Sequence, residues 1–228
     1  MWQTLREELH PRGLEIVTVA LDAAGASTAA PWIEKAGARH PSLIDQGHVV
    51  DALFGIVNVP SGVWIDETGT IVRPPEPAHP WRPAYKDREI PSDATPEQRE
   101  RIETVRALHV EPDRYVGALR DWVANGARSR FALSPNEVVR RSRPRPVTEA
   151  TAAAHFAIGQ TLHAAGERDA AIAHFRSAHE LDPANWTYRR DAWSLVGPEH
   201  ETIYGTSWLR EVQREGVERY YPPLDMPD

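Results

Sequence analysis

Residues 49–73 read Val-Val-Asp-Ala-Leu-Phe-Gly-Ile-Val-Asn-Val-Pro-Ser-Gly-Val-Trp-Ile-Asp-Glu-Thr-Gly-Thr-Ile-Val-Arg, in a chain of 228 residues that contains no cysteine. Val49, Val50, Leu53 and Phe54 have the spacing of one helical face, and Gly55 is placed to end that helix. Val63-Trp64-Ile65 is rich in strand formers. Asp66-Glu67-Thr68-Gly69 signals a hairpin turn, and Thr70-Ile71-Val72 is the return strand. The stretch predicts helix, X-Pro corner, strand, tight turn, strand. A proline ahead of a strand removes a ladder donor, so Pro60 belongs at the strand's start or at a bulge. The cis form costs little at an X-Pro bond, and we expect it at Val59–Pro60.

Working upstream, Trp2 to Leu9 is a helix with Trp2, Leu5 and Leu9 on one face, broken by Pro11-Arg12-Gly13. Leu14 to Asp22 reads as a buried strand ending in an acid. Ser27 or Thr28 can cap the next helix, which runs through Trp32 and Ile33. Pro41 to Asp45 is a short run leading into the helix at Val49.

This order resembles the later part of thioredoxin-like redoxins, the TlpA/ResA-type thiol-disulfide oxidoreductases and their AhpC/TSA peroxiredoxin relatives. The Val59–Pro60 corner followed by Trp-Ile-Asp-x-x-Gly carries most of the resemblance, which covers about the first 125 residues. It implies an α/β thioredoxin-like fold. It also implies a substrate groove at Val59, Pro60 and Ser61, and an opening strand that leads into a Cys-x-x-Cys motif. Neither strand nor motif is present; Met1 falls just past where the motif would sit. The expected fold is therefore an N-terminally truncated one. A selenocysteine codon read as stop, with a restart at the next methionine, would account for a start at that point. In the family sheet the missing strand lies between those matching Leu14–Leu21 and Gly62–Ile65. Its loss would leave them roughly 10 Å apart, with backbone groups unpaired unless the sheet closes up. The thiolate is the nucleophile of this chemistry, so the chain as written is expected to be redox-inactive, with no catalytic residue.

Downstream, six prolines between residues 74 and 91 exclude regular helix or central strand, and we read an extended loop with Trp81 and Tyr85 as anchors. Thr95-Pro96-Glu97 is a helix start. A further helix from Pro112 carries Tyr115, Val116, Leu119, Trp122 and Val123 and ends at Asn125-Gly126. Arg140, Arg141, Arg143 and Arg145 form a basic stretch broken by prolines. It lacks interleaved aromatics, and the net charge is −7, so it reads as a solvated linker rather than a nucleic-acid site.

Residues 152–185 match the tetratricopeptide pattern. Ile158, Gly159 and Leu162 make the first helix's close packing, Gly166 turns the chain, Ala171, Phe175 and Ala178 pack the second helix, and Pro183 ends the unit. His155 stands where the pattern usually has Trp. Trp186, Tyr188, Ala192, Trp193 and Leu195 resemble a degenerate second repeat, and Ser207 to Gly216 is a last helix. We expect Trp186, Trp193 and Trp208 to fill the contact of this module with the first. The organisation is then a thioredoxin-like domain at 1–128 with a Pro-rich insertion at 74–92, a linker at 129–149, and an all-α tetratricopeptide-like module with an extended tail at 150–228.

Ten histidines invite a metal reading, but no His-Glu-x-x-His occurs. The close pairs, His155/His163 and His174/His179, lack the i, i+4 spacing of a helical zinc site. Neither metal nor cofactor is expected. Asp45, Asp51 and Asp66 read as capping and turn residues. No run is apolar for the roughly 20 residues a bilayer span needs, and no signal peptide is visible, so the chain as encoded reads as cytoplasmic. Two functions follow. One is a redoxin of the thiol-disulfide or peroxide oxidoreductase class that has lost its motif. The other is a non-catalytic scaffold whose repeats bind a protein or peptide.

Overall fold

The computed structural model describes residues 2–142 and 144–227; Arg143 of the basic stretch lies outside them. The chain is mixed α/β and mostly helical. In order come α1 (Trp2–Leu9), β1 (Thr18–Leu21), α2 (Ala26–Lys35), β2 (Ser42–Asp45), α3 (Val49–Phe54), β3 (Ser61–Ile65) and β4 (Ile71–Pro77). Helices follow: α4 (Pro96–Ala107), α5 (Pro112–Asn125), α6 (Pro135–Arg141), α7 (Val147–Ala164), α8 (Arg168–Leu181), α9 (Trp186–Val196), α10 (His200–Tyr204), α11 (Trp208–Glu215) and α12 (Val217–Tyr220).

The strands form two separate ladders. β1 and β2 are parallel, with Thr18 opposite Ser42 and Leu21 opposite Asp45. β3 and β4 are antiparallel, with bulges around Trp64. No strand joins the two pairs among the described residues. Thr18 and Asp22 donate their amides towards β2, so by the alternation of a parallel ladder those of Val17, Val19 and Leu21 point to the other edge. The buried strand expected over Leu14–Asp22 is thus shorter, and its ladder residues are only half-buried. Among the described residues no strand pairs with that other edge.

Two further readings are corrected. The first part of the proline-rich segment is not loop but strand β4, holding Pro74, Pro75 and Pro77. It pairs only with β3, and an edge strand tolerates residues that cannot donate. The N-terminus of α2 is not capped by Ser27 or Thr28. Gly25 takes the cap position, while the Asp22 carboxylate accepts from the amides of Ala24 and Gly25 and from the Thr28 hydroxyl. The Thr95 capping box on α4 forms as the sequence implied.

One core gathers Leu5 and Leu9 of α1, Trp64, Val72, Tyr115 and Leu119 with Leu224 and Met226 of the tail. Trp64 donates to the Tyr115 hydroxyl at 3.1 Å and stacks on Trp122. Arg73 is buried but saturated: it forks onto Glu76 and donates to the carbonyls of Phe131 and Asp225. The 129–149 segment is no free tether. Phe131 and Val138 are buried, and the Leu133 amide bonds the Val72 carbonyl.

Two more cores share α9. Trp186 and Trp193 pack with Leu108, Val212, Tyr220 and Tyr221. Tyr188 and Ala192 pack with Phe156, Phe175 and Ala178. This helix is buried nearly all round, so its polar residues need partners. Arg189 pairs with Glu211 at 2.8 Å.

Candidate functional site

Val59–Pro60 is cis and opens β3. Asn58 is buried and donates through Nδ2 to the Tyr220 carbonyl at 2.7 Å. The Tyr221 hydroxyl donates to the Val59 carbonyl at 2.8 Å. The amides of Trp186 and Thr187, at the start of α9, both donate to the Val57 carbonyl. These are first-turn donors with no partner inside their own helix. The corner expected as a substrate groove at Val59, Pro60 and Ser61 is half-buried, and its backbone is bonded by the chain's own helix and tail. The Ser61 hydroxyl donates to the Asn58 carbonyl at 2.8 Å, and no histidine or carboxylate bonds it as a base would.

A few residues upstream lies a cluster with no counterpart in the sequence reading. His48 immediately precedes α3 and has a positive φ of 54°, the only such non-glycine among the described residues. Its ring is buried. Nδ1 lies 2.7 Å from Asp51 Oδ2, and Nε2 lies 3.3 Å from Asp191 Oδ2 of α9. The first contact is a hydrogen bond; the second is an ion pair without hydrogen-bond alignment. Thr187 of α9 donates to Asp51 at 2.8 Å, and the Ala23 amide donates to the other Asp191 oxygen at 3.2 Å. Burial alone would push the His48 imidazole down, but its contacts with the Asp191 and Asp51 carboxylates raise it to about 9. At neutral pH the ring is a buried imidazolium, which cannot act as a general base. Asp51, in the first turn of α3, accepts the Ala52 amide at 2.9 Å through its other oxygen, so it serves the helix start and the buried cluster together. Asp45 accepts from the Val50 amide and Asp66 organises the hairpin turn.

A cavity of about 570 Å³ adjoins the cluster, lined by Asp51, Phe54, Val57, Arg145 and Tyr188 among others. Its arginines are engaged. Arg73 holds Glu76, Arg141 holds Glu137 and Asp225, and Arg145 reaches the Ala52 carbonyl. Arg140 pairs with Glu137 as well.

In the α7–α8 hairpin, Gly159, Ala171, Phe175 and Ala178 are buried and Leu162 half-buried, while Gly166 turns the chain with φ of 84°. Pro183 follows α8 and is exposed. Ile158 does not pack: it is 43 % exposed. The buried stripe of α7 runs Ala152, Phe156, Gly159, and Ile158 falls a residue out of that phase. The histidines pair differently from the sequence spacing. His155 and His174 meet across the hairpin with Nδ1 atoms 2.9 Å apart, one donating to the other. No group of three or more metal-ligating side chains occurs among the described residues. No described helix is long and apolar enough to cross a membrane.

Comparison with protein-family models, with curated proteins and with solved structures finds no match to this chain.

The His48 cluster was absent from the sequence reading because its halves lie far apart in the chain. One signal existed. Asp191 sits on a helix whose neighbours at Trp186, Tyr188, Ala192 and Trp193 are apolar, and an acid on such a face calls for a buried cation.

Proposed function

We propose that this chain is the body of a redoxin-class protein, of the thiol-disulfide or peroxide oxidoreductase type, that holds no redox group within residues 1–228. The observation that supports this is the split between the β1–β2 and β3–β4 ladders. An apolar parallel pair with a free edge calls for one more strand. In the redoxin reading that strand also delivers the nucleophile. The chain alone has no thiol and should turn over neither insulin disulfides nor hydroperoxides, since a thiolate must attack. A variant with an apolar strand and Cys-x-x-Cys added ahead of Trp2 should be more stable and should reduce insulin disulfides. Turnover by the unextended, cofactor-free chain, or an extension that adds neither stability nor turnover, would refute the proposal.

The bonded corner favours a second reading. Tyr221 occupies the Val59 carbonyl, a group an extended peptide would otherwise use. On this reading the chain is a non-catalytic interaction scaffold, and the extended variant gains stability without turnover.

A further inference from the structure

The His48 cluster touches three separate segments. His48 and Asp51 belong to the start of α3, Asp191 and Thr187 to α9, and the Ala23 amide to the loop after β1. Every one of these side chains is buried. Two carboxylates and one imidazole meet there, so the cation is what makes their approach tolerable. A buried carboxylate without a counter-ion carries a large desolvation cost. From α7 the imidazole meets Phe156, with ring centroids 4.8 Å apart, and from α9 it meets Tyr188 at 6.0 Å. Burial, with Asp51 beside it, raises the Tyr188 phenol to about 12, so it stays neutral. Arg145, Glu149 and Asp182 line the adjoining cavity.

The backbone contacts link this cluster to the cis-Pro corner. Thr187 holds Asp51 by its hydroxyl and the Val57 carbonyl by its amide. Two residues further on, the Val59 carbonyl is held by Tyr221, and Tyr221 packs against Trp186 and Trp193 in one core. α9 therefore bonds both the α3 cluster and the residue that leads into the corner.

We propose that protonated His48 is a latch: seated between Asp51 and Asp191, it holds the helical module over the Val59–Pro60 corner, and its deprotonation releases the module and exposes the corner. The inference does not depend on the redox reading. The direction with pH follows from linkage. The folded-state value of about 9 lies above the unfolded one of about 6.5. The latch's contribution is therefore complete below about 6.5 and is lost as pH rises through about 9.

The test uses the whole chain. Carbon-13 NMR of the histidine rings should show one imidazole titrating near 9, and its signal should be absent in His48→Gln. Asp191→Asn keeps the shape but removes one charge, and should lower that midpoint by about one unit or more, a tenfold loss of proton affinity. Small-angle X-ray scattering should show the wild-type chain expanding between pH 7 and 10, with the expansion shifted to lower pH in Asp191→Asn. If His48→Gln does not fold, the Asp191→Asn midpoint still decides. The proposal is overturned if no histidine titrates above 8, if Asp191→Asn leaves the midpoint unmoved, or if the scattering profile is the same at both pH values.

Discussion

At Gly159 a methyl group built on the backbone would lie 2.6 Å from the Phe175 ring. Phe175 is fully buried and packs against Phe156 with the rings tilted at 48°, so the ring cannot swing away cheaply. Ala for Gly in a helix normally stabilises by about 1 kcal/mol. Here overpacking of about 1–3 kcal/mol opposes it. We expect Gly159→Ala to be net destabilising, by up to roughly 2 kcal/mol in urea unfolding, and a stabilised variant would show that the helices have room to part. The need for a small residue at this crossing was legible, because a repeat spacing fixes which positions meet. The exposed Ile158 shows the limit: the pattern assigned the right turn of helix but not the phase within it. His48 marks a different limit. Its αL backbone, its two carboxylate partners and the Thr187 bond all come from tertiary contact, which no local window contains.

At the scale of elements, α9 and the tail carry more than their length. Trp193 is 7 % exposed and stacks on His200, with ring centroids 5.2 Å apart. Its indole nitrogen has no hydrogen-bond partner, so its value lies in packing. Trp193→Ala should cost about 3 kcal/mol or more, and Trp193→Phe clearly less. A loss within about 0.5 kcal/mol for the alanine variant would put the ring at the surface. The tail places Leu224 and Met226 in the first core, gives its Asp225 carbonyl to Arg73 and its Leu224 amide to Glu111. A chain ending at Tyr221 should lose about 3 kcal/mol or more, from two buried apolar side chains. An unchanged urea midpoint would mean that the tail merely rests on the surface. Tyr220-Tyr221-Pro222-Pro223-Leu224 reads as an extended tail able to lie back on the body, but not as one that enters this particular core. Proline misled at β4, where several argued for loop. They exclude only a central strand, and β4 has a single neighbour.

For the whole molecule the unjoined ladders are the governing feature. Order along the chain made the β3–β4 hairpin legible, but Pro41 to Asp45 read only as a short run ahead of α3, so its pairing with β1 was not foreseen; the resemblance implied a gap in the sheet. It did not say whether the sheet would close up to compensate, because that depends on what α1, α5 and the tail pack against. They pack on β3 and β4, through Trp64 and Val72. β1 and β2 contribute no buried residue to any of the three cores. Among the described residues no strand pairs with the outer edge of β1, and just before it Val17 is 52 % exposed. Exposed, apolar, unpaired edges template pairing with another chain. The net charge of −7 opposes association at low ionic strength, and salt screens that repulsion. The chain should therefore be monomeric when dilute in low salt. It should form dimers or larger species at roughly 100 µM in physiological salt, concentrations at which exposed strand edges associate. Val17→Lys places a charge beside that edge at a position already half in water, so it should change stability by no more than about 0.5 kcal/mol. It should also keep the chain monomeric under the same conditions, as lysine does on natural edge strands. Sedimentation velocity on the two proteins distinguishes the outcomes. A wild type that stays monomeric at high salt, or a Val17→Lys variant that associates equally, would mean that β1 does not present a free edge in solution.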